Sequence, residues 1–214
     1  MIVGDGMGGH DCGKLASETA VRAFSASFKQ SQGSVCSRLR SALDAANLEV
    51  GQQFARRSLY GGTTLLAAYV GAGVLWWVSV GDSLLMLWRR GRLLRLNADH
   101  SMRSLYSEMA KNGAMDMVEA LSHGHSLRSA VTGEAMQLVD APPTPYPLLP
   151  GDRIVLASDG ADALLLPVPM SPTLRAIMEN PECDNLSVSI VEACKQMDNP
   201  YADNVTVLST VWSR

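Results

Sequence analysis

Three aspartates, each followed by glycine or asparagine, carry the chemistry legible in this sequence. They are Asp5 in Gly4-Asp5-Gly6-Met7-Gly8-Gly9-His10, Asp159 in Ser158-Asp159-Gly160 and Asp203 in Asp203-Asn204-Val205-Thr206. Strand-forming residues adjoin them: Ile2-Val3 before Asp5, Ile154-Val155-Leu156-Ala157 before Asp159 and Val205-Thr206-Val207-Leu208 after Asp203. Each carboxylate is therefore expected at a strand end, where a sheet can bring distant positions together. Hard oxygen donors converging without His or Cys suit Mg²⁺ or Mn²⁺ rather than Zn²⁺. The chemistry on offer is metal-assisted hydrolysis of a phosphate ester. Two ions about 4 Å apart share a water and lower its pKa for in-line attack on phosphorus. Gly6, beside Asp5, leaves a backbone carbonyl unobstructed by a Cβ and free to turn toward a second ion. Taken singly, each Asp-Gly or Asp-Asn pair is an ordinary turn.

Gly4-Asp5-Gly6-Met7-Gly8-Gly9 also matches the G-x-G-x-x-G fingerprint of dinucleotide enzymes. Asp5 would then place a carboxylate where a pyrophosphate must sit. The acid expected about 20 positions later, on the ribose, has no counterpart, since residues 25–43 contain neither Asp nor Glu. Hairpins, not βαβ units, follow. The nucleotide reading is set aside on these grounds.

The elements that must position the aspartates can be read from periodicity. Residues 11–29 are expected to form a helix with Leu15, Thr19, Val21-Arg22 and Phe24 on its buried face, and residues 35–57 a second, on Leu39, Leu43, Ala46 and Val50. Strands are expected at 63–70 and 74–80, then at 83–88 and 93–96 about an arginine-rich turn, then at 152–158 and 204–212. Met1 to Val3 reads as a strand stub. Residues 99–121 suggest a helical insertion capped by Asp99 or Ser101, within an excursion spanning 98–135. Five prolines between 142 and 150 force an extended stretch, and helices are expected within 171–197. The order implies an α+β layered sandwich.

At 214 residues and 47% hydrophobic, the chain can bury the core of one domain spanning 1–214. A net charge of −3 gives no reason to expect nucleic acid or an anionic membrane. Gly71-Ala72-Gly73 breaks the longest uncharged stretch, so it reads as two strands and not a membrane span. No basic leader opens the chain. Cys12, Cys36, Cys183 and Cys194 show no ligand spacing and suit reduced, mostly buried thiols in a cytoplasmic protein.

The ordered set Asp5-Gly6-Met7-Gly8-Gly9-His10, Gly62-Thr63-Thr64, Val80-Gly81-Asp82-Ser83, Asp99-His100-Ser101, Leu156-Ala157-Ser158-Asp159-Gly160 and Asp203-Asn204-Val205-Thr206 resembles the type 2C metal-dependent protein phosphatases, over nearly the whole chain. The resemblance implies a four-layer α-β-β-α sandwich of two antiparallel sheets. It implies that Asp5 bridges two Mn²⁺ or Mg²⁺ ions, that Gly6 offers its carbonyl, and that Asp159 and Asp203 hold the first ion. Asp82 would join Asp159 at a weaker third site, and the excursion after Asp99-His100-Ser101 would be a flap over the substrate. The partner would be a protein phosphorylated by a Ser/Thr kinase. His10 is a candidate general acid or water-orienting group, with a capping role as its alternative.

Other motifs take plainer readings. Thr63 and Thr64 are expected to pack strands, and His100, His123 and His125 to be flap or loop residues without chemistry. Asp184-Asn185 is expected to cap a helix, and Arg89, Arg90, Arg92 and Arg95 to form a solvated hairpin. Against the family pattern, the N-terminal strands and the phosphate-gripping arginine stretch have no counterpart before Met1. Leu84 follows Gly-Asp-Ser where arginine is usual. The acid expected four positions after Asp159 is Ala163, with Asp162 displaced by one. These departures weaken the third site and leave an alternative: a reduced, phosphatase-like module that binds phosphoproteins with little or no turnover.

Overall fold

The computed structural model describes residues 1–116, 119, 126–180, 185–197 and 203–213. In the first sheet, β1 (Ile2–Val3), β4 (Leu65–Gly71), β5 (Val74–Val80) and β8 (Tyr146–Pro147) lie side by side in that order. In the second, β10 (Val207–Val211), β9 (Arg153–Ala157), β6 (Leu84–Arg89) and β7 (Arg92–Arg95) do so. All these pairings are antiparallel. A small ribbon pairs β2 (Gly6–Met7) with β3 (Gly62–Thr63), so Thr63 opens a separate ribbon and not the long hairpin.

Strand alternation explains why both hairpins read as apolar on two faces. In β4, Leu65 and Ala67 face helices α1 (His10–Gln30) and α2 (Val35–Arg57), whereas Leu66 and Ala68 face the other sheet. In β6, Leu84, Met86 and Trp88 face the C-terminal helices, while Leu85 and Leu87 point inward against Leu66, Leu75, Ile154 and Leu156. Three apolar seams thus separate four layers, which is the α-β-β-α sandwich expected. Each fully buried Leu or Ile in the central seam contributes about 1.5–3 kcal/mol by leaving water.

The second helix keeps its expected bounds and face, and the Ser34 hydroxyl caps it by accepting from the Ser37 N–H at 3.2 Å. The first buries Thr19 and Phe24 as expected but differs in the rest of its face, which runs through Gly13, Ala16 and Ala20, with Leu15 and Val21 half-buried and Arg22 exposed. Small residues let this helix approach the ribbon closely: a Cβ on Gly6 would lie 2.0 Å from the Gly13 carbonyl oxygen. The cap position of the excursion's helix, α3 (Arg103–Lys111), falls on Met102; Asp99 turns its carboxylate onto the Ser101 N–H instead, while the Ser101 hydroxyl accepts from the N–H of Arg103, the first helical residue, at 3.3 Å.

A 3₁₀ turn (Asp159–Ala161) and short helix α4 (Asp162–Leu165) follow β9, then α5 (Pro172–Glu179) and α6 (Leu186–Gln196). The Asn185 side chain caps α6, and Asp184 lies outside the described residues, as do Cys183, His123 and His125. Cys12, Cys36 and Cys194 are free thiols, half-buried and not buried as expected. No helix among the described residues is long and apolar enough to cross a membrane.

Candidate active site

Asp5 sits between β1 and the ribbon, fixed at both backbone groups. Its N–H donates to Thr64 Oγ1 at 3.0 Å, and its carbonyl accepts from the Thr64 N–H at 2.8 Å and from Thr63 Oγ1 at 2.9 Å. The two threonines, read from sequence as packing residues, are the clamp that aims Asp5. Thr64 Oγ1 also lies 2.8 Å from Ser83 Oγ, which links Asp5 to the turn carrying Asp82. In that turn Gly81 has φ +102°, and any Cβ would lie 2.7 Å from that of Thr64, so glycine is required.

His100 is not a bystander of the excursion. It is buried, its Nδ1 accepts from the Gly81 N–H at 3.2 Å, and its own N–H donates to the Gly81 carbonyl at 3.2 Å. Burial holds its pKa below the ordinary histidine value, which keeps Nδ1 free to accept. Nothing in the sequence near His100 signals this bond, because its partner is 19 residues away.

Asp159 and Asp203 approach because their loops are laced together. Ser158 Oγ donates to the Asn204 carbonyl at 3.1 Å and accepts from the Thr206 N–H at 3.0 Å, while the Ser158 N–H donates to the Thr206 carbonyl at 3.0 Å. Gly160 permits the contact, since a Cβ there would lie 2.5 Å from the Asn204 oxygen. Asp203 itself is exposed, and its carboxylate accepts from the Asn204 N–H at 2.7 Å.

Asp5, Gly6, Asp82, Asp159 and Asp203 line one cleft of about 210 Å³, with Ser126 and Leu127 of the excursion closing a side. Asp5, Gly6 and Asp203 also face a second cleft, of about 450 Å³, with Gly9, Gly13 and Lys14. A larger groove of about 840 Å³ runs along β1 and α1, lined by Ile2, Val21 and Lys29 without any of the cluster's carboxylates. His10 begins α1 beside the second cleft; its side chain lies outside the described residues.

The cluster is electrostatically strained. Burial, then the Asp159 carboxylate within hydrogen-bonding reach, then Asp203 and Asp82 push the Asp5 carboxyl up to about 7. Burial and the charges of Asp159, Asp162 and Asp99 likewise push Asp82 up to about 7. Converging oxygen donors that repel one another suit hard divalent cations. Among the described residues no group of three acidic, His or Cys side chains forms a ready cation cage. Open coordination of that kind fits Mg²⁺ or Mn²⁺, which keep several waters and need only one or two carboxylates each.

The arginine hairpin differs from the solvated cluster expected. Arg89 forms a two-pronged pair with Asp152, at 2.8 and 2.5 Å, and Asp152 is 2% exposed. Arg95 donates to Asp99 at 3.0 Å and to the Asp82 carbonyl at 2.9 Å. Their acceptors lie 63, four and 13 residues away, and only Arg90 and Arg92 remain exposed.

Comparison with known proteins agrees with this arrangement. The family profile described as protein phosphatase 2C matches residues 2–109. The serine/threonine phosphatase stp of Listeria monocytogenes is 31% identical, over 97% of this chain and 82% of its own length. The serine/threonine protein phosphatase PstP of Mycobacterium tuberculosis is 30% identical over 97% of this chain and 39% of its own. The crystal structure of the M. tuberculosis phosphatase PstP/Ppp superposes with a TM-score of 0.79 at 26% identity, covering 100% of this chain and 88% of that one. A crystal structure of the PstP catalytic domain in complex with two manganese ions does so with a TM-score of 0.75 at 27% identity, covering 97% and 85%. With a profile match over half its length and a 31% identical relative along nearly all of it, this chain belongs to the protein phosphatase 2C family.

Proposed function

We propose that this chain hydrolyses phosphoserine and phosphothreonine in proteins, with water as the attacking group and no covalent phosphoenzyme. The observation carrying the reading is the convergence of Asp5, Asp159 and Asp203, from three distant loops, on one cleft, with no basic hydrogen-bond partner for Asp5 among the described residues. Asp5, Gly6 and Asp203 line both clefts and Asp159 lines one of them, so Asp5 is the candidate to be shared by two ions, with the Gly6 carbonyl, Asp159 and Asp203 as the other groups that would hold them. Asp82 lines the same cleft beside this set. When bound, Mn²⁺ or Mg²⁺ supplies positive charge that activates water and steadies the phosphoryl oxygens.

The residues present do the rest. The Thr63–Thr64 clamp keeps the Asp5 carboxylate aimed through the reaction. The laced Ser158 and Asn204 loops hold Asp159 and Asp203 at fixed separation. Hydrolysis breaks the phosphorus–oxygen ester bond, and the leaving seryl or threonyl oxygen takes up a proton. His10, at the start of α1, is the candidate donor. Residues 98–135, whose Ser126 and Leu127 border the cleft, form the flap over the substrate, and the whole chain works as one catalytic domain. The substrate would be a target of a Ser/Thr kinase.

Hydrolysis of p-nitrophenyl phosphate by the purified chain, with and without Mn²⁺ and beside Asp203→Ala, tests this. We expect metal-dependent turnover that falls at least a hundredfold in the variant. Turnover unchanged in Asp203→Ala would overturn the assignment. Tight phosphopeptide binding with no turnover, from folded protein that takes up Mn²⁺, would leave a binding module instead.

A further inference from the structure

Arg103 opens α3, in the excursion, yet its side chain reaches back to the catalytic end of β9. Its Nη2 donates to Asp162 Oδ2 at 2.5 Å, and the two side chains are 27% and 15% exposed. Asp162 begins α4, three residues after Asp159, and its Oδ1 is buried without a hydrogen-bond partner among the described residues. The Arg103 charge also acts on Asp99 and Asp82. Arg95 completes the arrangement by pairing with Asp99 and holding the Asp82 carbonyl. On this side of the site Asp99 and Asp162 are therefore each paired with a guanidinium group, and Arg95 reaches Asp82 at its carbonyl. Asp5 and Asp203 have no basic side chain among their hydrogen-bond partners in the described residues.

We propose that Arg103 is a positioning residue serving as a resident cation: paired with Asp162, on the side of the site that carries Asp82, it takes the place of a third divalent ion and ties α3 to the site. The inference rests on the two-ion reading of Asp5, Asp159 and Asp203. A guanidinium is permanently charged and matches a carboxylate's geometry. A divalent ion held by Asp82 would have to sit beside that charge and be repelled by it. Asp162, one position short of the family's usual acid, serves the arginine and not a metal.

Mn²⁺ titration of the full chain, followed by the electron paramagnetic resonance signal of the free ion, tests the proposal. The wild type should saturate at two ions. Arg103→Met should acquire a third, weaker one, and so should Arg103→Gln, whose amide can still donate to Asp162 and protect the fold. Arg103→Lys, which keeps the charge, should remain at two, and Arg103→Gln with Asp82→Asn should return to two. Two ions in Arg103→Met and Arg103→Gln, or three in the wild type, would overturn the proposal alone. Fewer than two in the wild type would overturn the two-ion reading beneath it.

Discussion

On one side of the cleft, Asp5, Asp159 and Asp203 are positioned by neutral bonds from threonine and serine hydroxyls and from backbone groups. On the other, Asp99 and Asp162 each pair with an arginine, and a third bond from Arg95 holds the Asp82 backbone. The first arrangement fixes geometry and gives Asp5 and Asp203 no basic hydrogen-bond partner among the described residues, which suits the cations proposed above. The second neutralises charge within the protein and so serves architecture. Proximity of carboxylates does not by itself make a metal site; what balances their charge decides.

Arg95→Met should give the largest effect on stability, because it strands Asp99 and removes a donor from the Asp82 carbonyl. We expect a loss of about 2 kcal/mol, the size of a hydrogen bond to a charged group, read from urea midpoints, with Mn²⁺ binding retained. If Arg95→Met abolished Mn²⁺ binding, the two sides would not be separable. Thr64→Val keeps shape but deletes the acceptor of the Asp5 N–H and the bond to Ser83. It should lower kcat about tenfold, the equivalent of about 1.4 kcal/mol for one lost buried partner. An unchanged kcat would mean that backbone pairing alone aims Asp5.

Much of this was legible in the sequence where the signal is local. Leu39, Leu43, Ala46 and Val50 give α2 its bounds, and the aspartate motifs mark their loops because turn chemistry sits beside each carboxylate. The two-sided apolar strands also imply helices on both sheets. The clamps were not legible. Thr64 meets Asp5 across 59 residues, and Arg103 meets Asp162 across the same separation. A hydroxyl or guanidinium leaves no periodic trace of a distant partner. The face of α1 is legible only in part for a related reason: Thr19 and Phe24 are buried as their spacing predicts, but Gly13 is buried by close approach to the ribbon, which hydrophobicity alone does not reveal.

The account's central claim is that the Asp5 side of the site stores uncompensated negative charge for cations. Its sign follows from the raised Asp5 carboxyl, which is pushed up to about 7 in the fold, against the ordinary 3.8. The stability it lends is full below about pH 4 and is lost as pH rises through 7. The direct test is the urea midpoint of metal-free wild type and Asp5→Asn at pH 5 and pH 8, then with Mn²⁺ added. The account predicts that the metal-free wild type loses more stability toward pH 8 than the variant. Asp5→Asn should be the more stable at pH 8, by about 1 kcal/mol, since water still screens this half-buried carboxylate. Mn²⁺ should restore the wild type and leave the variant nearly unmoved. A metal-free Asp5→Asn less stable than wild type at pH 8, with Mn²⁺ shifting both equally, would contradict it.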